Sequence, residues 1–292
     1  HLACAPRGTP FIIAPAMEHH MYLHPATQAN LELLRSRGAT VVGPEHGRLA
    51  SGAMGLGRLA PPAVILACIE LALAAGGPLT GRRIVVSAGG TREAIDPIRI
   101  LTNRSTGKMG YAVARAALLA GADVTLISTP TNLPPVVGAH MVHVESALQL
   151  LDAVTEHTPG ADALVMAAAV ADYRPLNVAE HKIKKSDDDL AIQLTRNPDI
   201  LASVETPGTV RVGFAAETEN HEGNALGKLE RKNLDLIVAN DARTAMGADT
   251  NEVALYYRDG TVERLNQQDK GDIATTLVAR IAILLNHVHL SS

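Results

Sequence analysis

The chain has 292 residues, 47% of them hydrophobic, enough for one large α/β domain or for a domain with part of another. Its 26 Lys and Arg against 30 Asp and Glu are dispersed, and aromatics make up only 2%, which argues against a dedicated nucleic-acid binder with a basic patch and stacking platforms. No apolar run reaches the roughly 18 residues of a membrane span; the longest, Ala63 to Ala75, is interrupted by Glu70. The two cysteines, Cys4 and Cys68, fit no zinc or CxxC spacing, so a reducing, cytoplasmic setting without a structural disulfide is expected. The first residue is His1 and no signal pattern follows, so a start inside a longer product is also expected.

In chain order, the pattern predicts a strand at Phe11 to Ala14, a helix at Ala26 to Arg37 and a strand at Thr40 to Val42. A glycine-rich loop from Gly47 to Gly57 and an alanine-rich helix from Pro62 follow. Ala75-Gly76-Gly77-Pro78 ends that helix and reads as a linker, dividing the chain into residues 1–78 and 79–292. Beyond it the alternation becomes regular: strand Ile84 to Ser87, helix Met109 to Ala120, strand Asp123 to Ser128, a Pro-rich loop, and strand Met141 to Val144. Helix Ser146 to His157 opens with a capping box of Ser146 and Gln149, and strand Ala163 to Ala168 follows. A short strand from about Leu190, a helix opened by Asn197-Pro198-Asp199, strand Arg211 to Ala215, a charged helix ending near Lys232 and strand Leu236 to Ala239 continue the series. Glu252 to Arg264, with Asp259-Gly260 at its turn, reads as a β-hairpin, and a terminal helix runs from Asp272 to Asn286. Alternating β-α-β units wind in parallel, and continuous apolar strands such as Ala163 to Ala167 are those covered on both faces. The expected fold is α/β: a doubly wound, mostly parallel sheet with helices on both faces and a hairpin near the C-terminus.

The stretch from Ser87 to Gly110 lies where such a sheet binds its ligand. Gly89 and Gly90, small hydroxyl residues, and Arg92, Arg99, Arg104 and Lys108 suggest a cradle for phosphate. It has neither the G-x-G-x-x-G of a dinucleotide site nor the G-x-x-x-x-G-K-[ST] of a P-loop. Asp172, just past the strand ending in Met166, Ala167 and Ala168, is placed to meet a ribose, a base or a metal ion. Lys182, Lys184 and Lys185 lie in a polar loop, 181–189, that reads either as solvated surface or as a flap carrying ammonium groups onto phosphate. In Asn197-Pro198-Asp199-Ile200, Asn as N-cap and Pro at the first helical position predict a helix start with free amides. Phe214 ends another strand in Gly213-Phe214-Ala215-Ala216-Glu217-Thr218, either as core or against a base, and Lys228 and Lys232 share one helix face. His19, His20 and His24 lack the partners of a zinc site.

Seven ordered motifs between about Leu79 and His289 carry a resemblance. They are Gly-Gly-Thr-Arg-Glu-x-Ile-Asp-Pro, Asn-x-Ser-x-Gly-Lys-Met-Gly, Ala-Ala-Val-Ala-Asp-Tyr-Arg, Lys-Ile-Lys-Lys, Asn-Pro-Asp-Ile, Gly-Phe-Ala-Ala-Glu-Thr and Lys-Asn-Leu-Asp-Leu-Ile. Together they resemble bacterial phosphopantothenate-cysteine ligase, usually the C-terminal half of a bifunctional protein of coenzyme A biosynthesis. The resemblance implies a Rossmann-like domain that uses CTP to activate 4'-phosphopantothenate as an acyl-cytidylate, which L-cysteine then attacks, with magnesium accompanying the nucleotide. It implies Asn103 and Lys182 as catalytic residues. Met166, Ala167, Ala168, Asp172, Lys182, Asn197, Pro198, Asp199, Ile200, Phe214, Lys228 and Lys232 would bind CTP, and Gly89, Gly90, Asn103, Ser105 and Gly107 the acyl substrate. It leaves the metal ligands open and implies a homodimer.

The first 78 residues resemble part of the flavin-dependent decarboxylase that partners this ligase, a partial flavodoxin-like segment. Pro15 to Tyr22 is similar to its Pro-x-Met-Asn-x-x-Met-aromatic motif with Glu18 in place of Asn, and Gly47 to Arg58 to its substrate flap with Ser51 in place of a cysteine acid. The segment carrying the family's catalytic His and most of the FMN site has no counterpart here, and a serine hydroxyl is a far weaker acid than a thiol, so no decarboxylase activity is expected. Two other classes remain open on the residues alone: a nicotinamide-dependent oxidoreductase, and a non-catalytic nucleotide-binding module.

Overall fold

A computed structural model describes residues 8–185, 189–217, 221–241 and 248–290. Cys4, Thr218 and residues 186–188 of the lysine loop lie outside them. The chain forms two compact units, His1–Ala75 and Gly76–Ser292.

The first unit contains β1 (Ile12–Ile13), α1 (His19–Leu23), α2 (Pro25–Ser36), β2 (Thr40–Val41), β3 (Glu45–Arg48), β4 (Met54–Arg58) and α3 (Pro62–Leu73). β1 and β2 form a two-residue parallel ladder. The glycine-rich stretch expected as a loop is instead an antiparallel hairpin of β3 and β4, with Ser51 exposed in its turn. Its glycines allow close contact: a Cβ on Gly57 would collide with the Met17 carbonyl, while the Met17 amide donates to Gly57 O at 2.9 Å. His19 Nδ1 accepts the Leu56 amide at 3.1 Å, and Glu18 caps α1 through the His20 amide at 2.7 Å. These contacts occupy His19 and Glu18 structurally.

The second unit is built on one eight-stranded sheet. Its elements are β5 (Arg83–Ala88), β6 (Arg92–Ala94), β7 (Ile100–Thr102), α4 (Lys108–Leu119), β8 (Asp123–Ser128), β9 (His140–His143), α5 (Ala147–His157), β10 (Ala163–Met166), β11 (Tyr173–Pro175), β12 (Leu194–Arg196), α6 (Ile200–Ser203), β13 (Val210–Glu217), α7 (His221–Arg231), β14 (Leu236–Asp241), β15 (Thr250–Tyr257), β16 (Val262–Asp269) and α8 (Lys270–Leu290). The sheet order is β16-β15-β14-β13-β10-β5-β8-β9, parallel from β9 to β14 and antiparallel at the β15–β16 edge. The doubly wound expectation holds, with the Asp-Gly turn at the predicted place: Asp259 Oδ1 accepts the Thr261 amide at 2.8 Å, and Gly260 has φ +86°.

Alternation along the strands divides two cores. Val85, Ile127 and Leu164 pack with Leu150 and Val154 of α5, Leu201 of α6 and Leu229 of α7. Neighbouring residues such as Ile84, Val86 and Leu126, also buried, point to the other face, where α4 packs on β5, β8 and α8. The capping box is formed as expected: Ser146 Oγ accepts the Gln149 amide at 3.2 Å, and Gln149 Oε1 accepts the Ser146 amide at 3.2 Å. α4 approaches β5 so closely that a Cβ on Gly110 would lie 2.6 Å from Ala88 Cβ and 2.8 Å from Ser87 O.

Two small antiparallel ribbons, β6–β7 and β11–β12, complete the unit; of their strands only β12, the short strand expected from about Leu190, was evident in the sequence pattern. They lie next to one another beyond the carboxyl edge of the central strands.

Candidate active site

Parallel strands end at one edge, where the segments that follow β5 and β10, together with Phe214 of β13 and Asn240 of β14, line a cavity of about 870 Å³. That is within the range of small-molecule sites. Asn103 and Ser105 to Gly110 form one side, Met166 to Tyr173 the middle, and Arg196 to Leu201 with Phe214, Lys228, Arg231 and Lys232 another; Asn240, Asn251 and Lys270 complete it. Two carboxylates, Asp172 and Asp199, line it against six cations, Lys108, Arg196, Lys228, Arg231, Lys232 and Lys270, so the lining favours anions.

The structure divides the Ser87–Gly110 stretch by role. Its first part is structural: Gly89, Gly90 and Thr91 are buried and do not line the cavity. Ser87 Oγ accepts the Ala168 amide at 3.1 Å, and Thr91 Oγ1 the Ala171 amide at 2.9 Å, so these hydroxyls hold the loop after β10. A Cβ on Gly90 would strike Asn103 Oδ1, and one on Gly89 the Thr129 hydroxyl. Both glycines therefore serve close packing. Two of the arginines expected as phosphate cations are also occupied, and the third, Arg104, does not line the cavity: Arg99 pairs with Asp96 at 2.8 Å and donates to the Ile183 carbonyl at 3.1 Å, while Arg92 donates to Pro130 O at 3.4 Å.

The second part faces the cavity. Asn103 Nδ2 donates to Ala169 O at 2.5 Å, and Oδ1 accepts the Ser105 amide at 3.0 Å, joining the loop before α4 to the end of β10. Gly107 is the N-cap of α4 with φ +79°, a left-handed conformation suited to glycine, and provides no side-chain cap. The first-turn amides of α4 and the hydroxyls of Ser105 and Thr106 are thus at the cavity wall.

Asn197 is not a helix cap. Its Nδ2 donates to Ala171 O at 2.8 Å and its Oδ1 accepts from Arg174 at 3.0 Å. With that carboxamide committed, Asp199 caps α6 through the Ala202 amide at 3.3 Å, and α6 is a single turn. Asp199 also pairs with Lys232 at 3.1 Å, tying α6 to the end of α7. Ile200 is buried, and Phe214 is half-buried at the cavity.

Lys182 is exposed and does not line the cavity. The adjacent Ile183 amide donates to Asp96 at 3.1 Å. Burial would raise the Asp96 carboxyl, but the amides of Ile98, Arg99 and Ile183 and the Arg99 charge outweigh it and hold it below the usual carboxylate range. Among the described residues no group of three or more His, Cys, Asp or Glu forms a metal site, and no helix is long and apolar enough to cross a membrane.

Sequence reasoning missed Arg196, Arg231, Asn240, Asn251 and Lys270. Each is an ordinary polar residue in its own segment, and only the sheet order brings them together.

Residues 79–284 match the family described as DNA/pantothenate metabolism flavoprotein C-terminal domain, and residues 2–73 match the flavoprotein family. The coenzyme A biosynthesis bifunctional protein CoaBC of Bacillus subtilis is 44% identical over 283 residues, covering 94% of this chain and 70% of that protein. Its counterpart in Mycobacterium tuberculosis is 46% identical over 296 residues, covering 94% and 71%. The crystal structure of a C-terminal domain of CoaBC matches with a TM-score of 0.64 at 41% identity, over 73% of this chain and all of that one. A DNA/pantothenate metabolism flavoprotein from Streptococcus pneumoniae matches with a TM-score of 0.61 at 26% identity, over 70% of this chain and all of that one. The chain belongs to the DNA/pantothenate metabolism flavoprotein C-terminal domain family.

Proposed function

We propose that the chain ligates 4'-phosphopantothenate to L-cysteine at the expense of CTP, in coenzyme A biosynthesis. The observation that carries this reading is the convergence of Asn103, Ser105, Gly107, Met166 to Ala168, Asp172, Asn197 to Ile200, Phe214, Lys228 and Lys232 on one cation-rich cavity. A carboxylate oxygen of the acyl substrate attacks the α-phosphorus of CTP and pyrophosphate leaves; the cysteine amine then attacks the activated carbonyl and CMP leaves. Both steps develop negative charge on phosphate oxygens, which nearby ammonium groups stabilise.

Lys228 and Lys232 face the triphosphate, with Asn197 to Ile200 fixing the loop beside it. Asn103, anchored on Ala169 and Ser105, holds the acyl-cytidylate where β5 and β10 end. Lys182 lies outside the cavity lining and is assigned a further ammonium role through its Lys-Ile-Lys-Lys motif. The donor set suits magnesium: Asp172 is an exposed cavity carboxylate, and Mg²⁺ characteristically takes one or two carboxylates together with substrate phosphates. Asp172 would hold it, and the ion when bound would neutralise phosphate charge.

We assign the homodimer contact to exposed apolar residues on and next to the two ribbons. Ile98, Ile100, Leu176, Leu190 and Leu194 are 64%, 41%, 53%, 58% and 49% exposed there, too much apolar surface to leave in water. In the first unit, Ser51 on the β3–β4 turn leaves a hydroxyl where a thiol acid would act, so decarboxylation is not part of the activity. The decisive measurement is pyrophosphate release with each substrate omitted in turn and ATP in place of CTP. Release that needs both CTP and 4'-phosphopantothenate supports the reading; release without the acyl substrate, or full activity in Asn103→Ala, refutes it or its assigned residue.

A further inference from the structure

Glu93 is a buried carboxylate that takes no part in the chemistry proposed above. It belongs to β6, is 3% exposed and does not line the cavity. Its Oε1 accepts the amide of Ala147, the first residue of α5, at 3.0 Å and across 54 positions of sequence. The local capping box does not take that amide: Ser146 Oγ accepts from Gln149, and Gln149 Oε1 accepts from Glu145 and Ser146. A helix leaves its first amides without partners and favours negative charge at its start, so a carboxylate is stable there away from water. The Arg92 amide donates to Glu145 O at 2.8 Å, which gives β6 a second hold on the same helix start.

The segment held in this way is the floor beneath Asn103. β6 pairs with β7 in the register Arg92 to Thr102 and Glu93 to Leu101, and Asn103 directly follows Thr102. Thr102 Oγ1 donates to the Thr91 carbonyl at 2.8 Å. The Thr91 amide and Asn103 Nδ2 both donate to the Ala169 carbonyl, at 3.2 and 2.5 Å. A Cβ on Gly90 would strike Asn103 Oδ1, so backbone and carboxamide are packed without a gap. A shift of β6 is therefore passed on to Asn103.

We propose that Glu93 is a positioning residue for the second step of the reaction: by fixing β6 on the start of α5, it holds the Asn103 carboxamide in place while the cysteine amine attacks the acyl-cytidylate. Asn103 meets the acyl-cytidylate only once it has formed, and Lys232, assigned to the triphosphate, is anchored elsewhere, on Asp199. The geometry uses one acceptor oxygen of Glu93, so its reach matters more than its charge. The inference rests on the ligase reading through the role given there to Asn103.

Rapid-quench kinetics on the full chain separates the two steps. Pyrophosphate release from CTP and 4'-phosphopantothenate without cysteine reads the first, and loss of labelled acyl-cytidylate on adding cysteine reads the second. Glu93→Asp keeps the charge but is one methylene shorter, whereas Glu93→Gln keeps the reach and an acceptor oxygen. Glu93→Asp is expected to slow the second step about tenfold or more, with pyrophosphate release and the KM for CTP within about twofold of the parent. Glu93→Gln is expected to retain most of the second-step rate. Ala147→Pro, suited to a first helical position, removes the donor instead and is expected to match Glu93→Asp. Ser146→Ala removes the local cap of the same helix without touching β6, and is expected to lower Tm while retaining both steps. Equal slowing of both steps in Glu93→Asp or Ala147→Pro, a Glu93→Gln variant slower than Glu93→Asp, or the same second-step loss in Ser146→Ala overturns the proposal. A parent chain that releases no pyrophosphate with both substrates refutes the ligase reading and this assignment with it. Two normal steps in the parent with Glu93→Asp and Ala147→Pro unaffected refute the assignment alone.

Discussion

The two walls of the cavity are held in place by different physics. The α4 and α8 wall is set by close packing: Gly110 lies against Ala88 and the Ser87 carbonyl with no room for a side chain, and α4 lies along α8. The α6 and α7 wall is set by polar clamps, with Asn197 bridging Ala171 and Arg174, Asp199 capping a one-turn helix while holding Lys232, and Arg211 donating to the Leu201 carbonyl. A packed wall cannot accommodate added volume, whereas a clamped wall is sensitive to the loss of one partner. Substitutions should therefore divide by wall as well as by distance from the chemistry.

The largest effect is expected from Gly110→Val. Overpacking against β5 should cost about 3 kcal/mol, or roughly 6–12 °C in Tm for a domain of this size, measurable by circular dichroism. A variant with the parent Tm would show that α4 yields, and would remove the distinction between the walls. Asn197→Ala comes next. Loss of two long-range partners should cost about 1–3 kcal/mol, and CTP affinity should fall about tenfold while 4'-phosphopantothenate affinity changes little; equal losses for both ligands would mean that the walls are not independent.

Asp96→Asn sharpens the comparison by testing a third anchor, the one joining the β6–β7 ribbon to Ile183. Because its folded carboxyl lies below the unfolded value of about 3.9, its stabilisation is present above that pH and is lost as pH falls through the folded value. Denaturant unfolding should find Asp96→Asn less stable than the parent at pH 7, with the gap closing as the pH is lowered below 4. A gap independent of pH would assign the effect to packing. The smallest effect is expected from Lys232→Met. Its pair with Asp199 is partly exposed, so stability should change by less than about 1 kcal/mol, while the KM for CTP rises several-fold.

Much of the scaffold was legible because it is written locally. The Ser146 and Gln149 capping box, the Asp259-Gly260 turn and the apolar runs of β5 and β10 are short-range preferences that the tertiary structure reinforces. The core of the site was legible for a related reason: Asn103, Ser105, Gly107 and Asp172 follow strands whose carboxyl ends form the ligand edge. The errors arose where one residue had two plausible partners. Asn197 reads as a cap beside Pro198, but its carboxamide bonds to Ala171 and Arg174. Arg99 reads as a phosphate ligand, but buried Asp96 takes it. The glycines from Gly47 to Gly57 read as a loop, yet they allow β3 and β4 to pair under Met17 and His19.

The sequence by itself determined the winding of the sheet, the strand ends that form a ligand site and an anion preference, since these follow from periodicity, turn chemistry and charge. Only the tertiary structure decided which cations reach the cavity and which are already paired. It placed Lys270 and Asn251 beside Lys108 because the sheet turns antiparallel at β15 and starts α8 at the same edge as α4. Their convergence is a property of strand order, which pairs residues more than 140 positions apart, as Lys108 and Asp249 are, and no local pattern records it.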